Sequence, residues 1–433
     1  MCGKHVVAHA DSPGSTQKCC NNHANDADFP LPASGGIRFV EVTFLTGRER
    51  ILAAFRGEEP DFIPFTPNIW QWFYYHQTHH SLPAEIAEAR HPFDAIRQLG
   101  ADILARWDTQ HSTRTVYTAG EYSEEYAGSG DWDEPMVTSF NLYPPHKSQL
   151  RRKFACPEGT LTQTWEYTRE AGADFEAEHW WKSWDQYPAV RYMLEAREYS
   201  FDAGDFQNWV QRVGNDGLVM VHLTQSALKT FHWLAGPENA SLFMLDHPEE
   251  MQALARIHEK KAVALLESIV DNPLAEIFMS LDNLDSVFYP PYFYKDYCQD
   301  FFSQAADIIH RRGKFFVVHA CGHSRVLLPL VGASHVDCLE GVTPRPLGDV
   351  ELSEVRGLAG AETFTVDGGM DAHRQETRHD AEKTLHEYTR RLIESMGDKR
   401  HFIFASSCNT SYLAPWENLK YFRDAARAYG RVK

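Results

Sequence analysis

The stretch "KFFVVHACGHSRVLLPLVGASHVDCLEG", residues 314–341, contains a strand, a crossover and a second strand. Its first apolar run, Phe315 to Val318, breaks off abruptly into His319, Ala320, Cys321, Gly322 and His323. The amphipathic segment "SRVLLPLVG" then leads into "HVDCLEG", so the two runs are joined as parallel strands are. The same alternation extends in both directions. Apolar runs stand at "LVMVHL" (218–223), "IFMSLD" (277–282), "TFTVDGG" (363–369) and "HFIFASSC" (401–408), separated by patterns such as "HPEEMQALARIHEKKAVALLESIV" with apolar residues three and four apart. Upstream, "DFIPFTPNI" and "ADILARWD" read as two further strands, and the helix "GRERILAAFRG" precedes the first of them. Eight strands of this kind predict an α/β fold, a (β/α)8 TIM barrel, with residues about 110–215 as a long Trp- and Tyr-rich insertion. An open doubly wound sheet is the competing fold, but no glycine fingerprint for phosphate follows any strand; "GSGDW" (128–132) has neither the spacing nor a following helix.

The chain has 433 residues, 43% of them hydrophobic, a net charge of −18 and a pI near 5.6. Such a chain can bury a large core, and its overall field repels phosphate backbones and anionic membranes, so neither nucleic acid nor membrane is expected as a partner. No apolar run approaches the length of a spanning helix and the N-terminus lacks a charged-then-apolar signal pattern, which implies a cytoplasmic location. Eight scattered cysteines without framework spacing imply reduced thiols, some of them available as ligands. Residues 1–36 are polar and rich in Gly and Pro and are expected to form a disordered or loosely docked tail, its Cys2, His5, His9, Cys19, Cys20 and His23 lacking the spacing of a closed zinc site. Residues 37–433 then form one barrel domain with its insertion, and a homodimer is left open.

Barrel active sites lie at the C-terminal ends of the strands. His319 and Cys321 close one strand on the same side, two residues apart, and Cys408 closes the last. An imidazole and two thiolates arriving at one mouth suit Zn²⁺ and leave a fourth position for substrate. The plain alternative is that these are buried small residues and that a lone H-x-C arises by chance.

At this point the sequence resembles the uroporphyrinogen decarboxylase superfamily, and within it the zinc methyltransferases that work with corrinoids, such as methylcobalamin:coenzyme M methyltransferases and O-demethylase components. The resemblance covers most of residues 45–430 and is carried by "GRERILAAFRGEEPDFIPF", "GKFFVVHACG", "TVDGGMD" and "SSCNTSYLAPWENLKYF". It implies His319, Cys321 and Cys408 as zinc ligands. Glu340, on the rim of the neighbouring strand, would be a displaceable fourth ligand and a catalytic carboxylate; Cys338 lies deeper and reads as core. Asp282 is expected to act as a catalytic carboxylate that orients substrate or accepts a hydrogen bond from His319, with a helix-capping Asp as the plain alternative. His222, His323 and Asp367 are further pocket candidates, His323 being the residue that could support the ligands from behind. Decarboxylases of the superfamily carry an Arg-Gln-Ala-Gly-Arg segment after the first strand, where this chain has "PNIWQWFYYHQ", so tetrapyrrole decarboxylation is not expected. The implied activity moves a methyl group between a small methylated substrate, such as an aromatic methyl ether, and the cobalt of a corrinoid. With no D-x-H-x-x-G signature in the chain, that cobalamin or corrinoid would be supplied by a partner protein. The alternatives are a methylcorrinoid:thiol methyltransferase, or a metal-free decarboxylase or lyase on the same barrel, against which a scarcity of Arg at the strand ends speaks.

Overall fold

The computed structural model describes residues 44–106, 112–138 and 141–431; the expected tail of residues 1–36 lies outside them. Eight strands form one sheet: β1 (Phe65–Thr66), β2 (Ile103–Ala105), β3 (Gly217–His222), β4 (Ile277–Leu284), β5 (Phe315–Ala320), β6 (Cys338–Val342), β7 (Thr365–Met370) and β8 (Phe402–Ser406). Neighbours in the sheet follow chain order from β2 round to β8 and then β1, and every pair is parallel. At the remaining seam the Asp102 N–H donates to the Phe65 carbonyl at 2.9 Å, and the Asp102 carboxylate accepts from the Phe65 N–H at 3.3 Å. This is the expected (β/α)8 barrel. Arg50, paired with both Asp61 and Asp102, ties the seam to the first helix, α1 (Gly47–Arg56).

Alternation along the strands explains both the core and the site. Inward residues Leu104, Leu218, Met220, Ile277, Met279, Val317, Cys338 and Ile403 pack together with Ile51, Leu52, Ala54 and Phe55 of α1, which therefore plugs the N-terminal end of the barrel. The outward residues Val318, Leu339, Val366 and Phe404 join the larger core beneath the surrounding helices, with Val331, Leu385 and Phe422. Continuing the inward parity toward the C-terminal rim, the apolar series gives way to Arg106, His222, His319, Glu340 and Asp367, all buried. A layer of charge held over a layer of hydrocarbon is expensive unless its members pair with one another, and that requirement shapes the site.

Between β2 and β3 the chain builds a two-stranded ribbon, Thr113–Tyr117 with Arg197–Phe201. It also builds a four-stranded antiparallel sheet from Glu121–Ala127, Gln149–Cys156, Gly159–Thr168 and Ala173–Glu178. The aromatic clusters are mostly structural: Trp72, Phe73 and Trp181 are buried in the main core, and Trp184 stacks on His247 with ring centroids 3.6 Å apart. No helix among the described residues is long and apolar enough to cross a membrane.

Candidate metal centre

The His319 imidazole and the Cys321 and Cys408 thiols meet at the barrel mouth, with one ligand atom from each lying within 4.8 Å of the others. The sulfurs are 3.4 Å apart, and Cys408 Sγ lies 3.9 Å from His319 Nε2. Each ligand is positioned by the end of its strand. His319 is the inward residue one step above Val317. Cys321 follows β5 directly, and its N–H extends the ladder to the Leu284 carbonyl at 3.0 Å. Cys408 sits in the loop after β8, where Asn68 Nδ2 donates to the Cys408 carbonyl at 3.0 Å and to Asn409 Oδ1 at 2.9 Å. In return the Thr410 N–H donates to the Asn68 carbonyl at 2.8 Å. From the other side Gln375 accepts from the Ser411 N–H at 2.7 Å. Asn68 and Gln375 thus clasp the Cys408 loop between the ends of β1 and β7.

Behind the imidazole, His319 Nδ1 is bonded to the Glu340 carboxylate, and the other Glu340 oxygen is 2.8 Å from Arg106 Nε. Arg106 also lies 3.7 Å from Asp367. Two acids, one guanidinium and one imidazole therefore share a buried layer. Burial works against charge on His319, but the Glu340 carboxylate outweighs it and raises the imidazole to about 10. Burial likewise opposes ionisation of Glu340, yet Arg106 and His319 hold it below the usual carboxylate range. Asp367, less well served, is pushed up by burial to about 7. The hydrogen bond with Cys408, reinforced by His319, brings the Cys321 thiol down to about 5, while Cys408 is held well above its ordinary value by the same bond and by burial.

This donor set fits zinc. The chain presents two sulfurs and an imidazole whose Nδ1 is engaged by a carboxylate, which leaves Nε2 toward the thiols, the usual orientation of a zinc-binding histidine. It also revises several expectations. Glu340 is outside the three-residue cluster and engages the imidazole from behind. Asp282 does not meet His319. The inward residue of its strand is Leu281, so Asp282 has the opposite parity; it faces out, where it accepts from Ser280 Oγ at 2.6 Å and from the Ser226 N–H and hydroxyl. Its role is to anchor Ser226, the N-cap of the helix that begins at Ala227. His323 is half-exposed and turned away toward Asp285, with Nδ1 3.8 Å from that carboxylate. His222 is bonded through Nε2 to the Arg106 carbonyl, beside the cluster. Asp367 belongs to the buried charge layer. Arg106 escaped the sequence reading; its signal was the inward parity after Leu104 at a strand end, and it shows that the rim does hold an arginine.

Gly341 allows these parts to approach one another. Its φ is +87°, and a Cβ there would lie 2.8 Å from the Ala320 carbonyl oxygen and 3.0 Å from His319 Cε1. Gly341→Ala is expected to destabilise the fold by about 1–3 kcal/mol and to displace the imidazole. Thermal unfolding and metal content measured on the same sample check this, and an unchanged zinc stoichiometry with an unchanged melt would contradict it.

Residues 221–429 match the family model described as uroporphyrinogen decarboxylase (URO-D). The matched segment is a little under half of the chain. The matched segment includes His319, Cys321, Glu340, Asp367 and Cys408, whereas the insertion lies before it. Among solved structures, this chain is similar to a methyltransferase from Methanosarcina mazei at 12% identity and a TM-score of 0.54, over 89% of this chain and 99% of that one. At that identity the likeness establishes the shared fold. Weaker similarities are to a Bacteroidetes-affiliated GH5 cellulase (11% identity, TM-score 0.34, 54% of this chain and 77% of that one) and to a psychrophilic family 10 endo-β-1,4-xylanase (12%, 0.31, 48% and 71%). The comparison with curated proteins found no match.

Proposed function

We propose that this chain belongs to the uroporphyrinogen decarboxylase superfamily and is a zinc-dependent methyltransferase that takes a methyl group from a small methylated substrate and passes it to the reduced cobalt of a corrinoid carried by a separate protein. The observation that carries the reading is the convergence of His319, Cys321 and Cys408 on one point, with one thiol, Cys321, opening onto a cavity of about 480 Å³. Zinc held there would act as a Lewis acid toward the heteroatom that bears the methyl group, or toward a thiol. The chain's own residues do the remaining work. Glu340 orients the His319 imidazole, Arg106 balances Glu340, and the Asn68 clasp fixes Cys408. Two thiolates and a neutral imidazole compensate a dication without excess charge, which favours soft chemistry over activation of water. In the transfer, the electron pair of the broken oxygen–carbon bond stays on oxygen, which then takes up a proton, and the methyl group joins the Co(I) nucleophile.

The reading is supported by the similarity in fold to a methyltransferase and by the ligand chemistry. It is tested with a reduced corrinoid and a panel of methyl aryl ethers: growth of the methylated corrinoid's visible spectrum is expected with the wild type and not with Cys321→Ser. Methyl passing instead from a methylated corrinoid to an added thiol would establish the opposite direction. Loss of CO2 from an acid with no methyl transfer would replace the reading with decarboxylation.

A further inference from the structure

We propose that the insertion builds a binding site for a flat organic monoanion, of the carboxylate class, with Arg197 as the residue that takes the charge. The site follows from strand alternation. In the ribbon, Arg197 is registered opposite Tyr117 and Tyr199 opposite Thr115. With a period of two, these four side chains leave the same face. All four line one cavity of about 540 Å³, which is closed by a face of the four-stranded sheet and by the residues just past β3. That volume lies in the range of small-molecule sites.

The charges in this cavity do not cancel. Glu124 and Arg152 pair with each other at 2.8 Å, and Arg152 is further satisfied by Asn141 at 2.7 Å and Gln163 at 3.3 Å. Arg197 has the neutral Tyr117 and Tyr199 as its neighbours on the ribbon face, and its enclosed Nε has no hydrogen-bond partner. Among the described residues no ion pair joins Arg197 to a carboxylate. A guanidinium enclosed in this way is stabilised by an anion that supplies two oxygens to its planar fork. One negative charge neutralises the cavity, whereas a phosphate dianion would leave it with an excess of enclosed charge. The body of the ligand is read from the walls: Tyr122, Trp165, Trp180 and Trp233 present flat apolar surface suited to an aromatic ring.

Trp233 also lines the cavity that contains Cys321, so the two chambers adjoin. Identifying the anion as the methyl substrate rests on the methyltransferase reading, but the anion site does not. Arg197 and its ribbon precede the segment matched by the family, which makes the site a property of this chain's insertion.

The test is calorimetric titration of the full-length protein with benzoate, phenylacetate and 4-methoxybenzoate, each against its methyl ester. In the wild type the acids should bind about 10- to 100-fold more tightly than the esters, the range of a charge-assisted hydrogen-bonded pair. Arg197→Met should bring the acids down to the esters without moving the esters, Arg197→Lys should fall between, and Cys321→Ser should leave the acids unchanged. Equal binding of acids and esters by the wild type, which needs no mutation, overturns the proposal, as does no measurable binding of any acid. So does an acid preference that survives Arg197→Met and is lost in Cys321→Ser, since the carboxylate would then sit on the metal. Acid binding that depends on Arg197, without transfer of the methyl group from 4-methoxybenzoate, would support this site and count against the methyltransferase reading.

Discussion

About one zinc ion per chain is expected in freshly purified protein, and each of His319→Ala, Cys321→Ser and Cys408→Ser is expected to abolish tight binding while the barrel remains folded. The three ligand atoms come from β5 and from the loop after β8, and none of the three side chains belongs to the apolar cores. Losing one ligand of three should therefore cost more affinity than the roughly 10–100-fold typical of removing a supporting group such as Glu340. Mass spectrometric metal analysis beside a circular dichroism melt measures both quantities. A ranking in which Glu340→Gln loses more zinc than Cys321→Ser would return Glu340 to the first rank of ligands. A well-folded wild type without zinc would end the methyltransferase reading.

The second large effect is expected at Arg106, because it is the cation that makes the polar layer tolerable. Arg106→Met leaves Glu340 and Asp367 buried without their shared guanidinium, and a loss of about 3–5 kcal/mol in unfolding free energy is expected, as for breaking a buried ion pair from one side. Arg106→Met combined with Glu340→Gln should lose much less than the sum of the two single changes, since the second substitution removes the charge that the first has stranded. The dependence on pH follows from the direction of the shifts. In Arg106→Met the carboxyl of Asp367, already held above its unfolded value by burial, loses the cation that opposes that rise, so its neutral form is preferred in the fold. The protein should be relatively stable below the unfolded pKa and lose stability as pH rises through the folded one. Asp367 already shows this in the wild type, rising from 3.8 to about 7, so Asp367→Asn should stabilise the fold at pH 8 more than at pH 5. Unfolding in urea at both pH values checks this, and equal gains at the two would contradict it.

What was readable in the sequence follows from which interactions are local. Strands such as "KFFVVHAC" and "HFIFASSC" announce themselves as apolar runs between helical patterns, and the barrel followed from their number. The His319 and Cys321 pair was legible because two residues on one strand share a side. Parity also explains the error at Asp282: being near the rim is a matter of position along the chain, but facing inward depends on which neighbour, Leu281 or Asp282, takes the inner face, and both faces of this strand carry apolar residues, Ile277 and Met279 on one and Phe278 and Leu284 on the other. Glu340 could be placed beside His319, yet only the register of β5 against β6, which pairs these two residues, decides that it meets Nδ1. Arg106 and Asn68 were invisible because their partners lie hundreds of residues away in sequence. The insertion was recognised by its aromatics, but its antiparallel sheet rests on cross-strand pairs with no helical or barrel period to reveal them.

The clasp of Asn68 on the Cys408 loop has a consequence for biosynthesis. Cys408 follows Cys321 by 87 residues and is held by a residue just past the first strand, so the three-ligand site cannot exist on the ribosome until the last strand has emerged and closed against the first. At about 5–20 residues per second that interval is roughly 4–17 seconds, during which His319 and Cys321 can offer an ion only two ligands. On the zinc reading, metal loading therefore follows the synthesis of Cys408, and a product truncated before that residue would lack the third ligand.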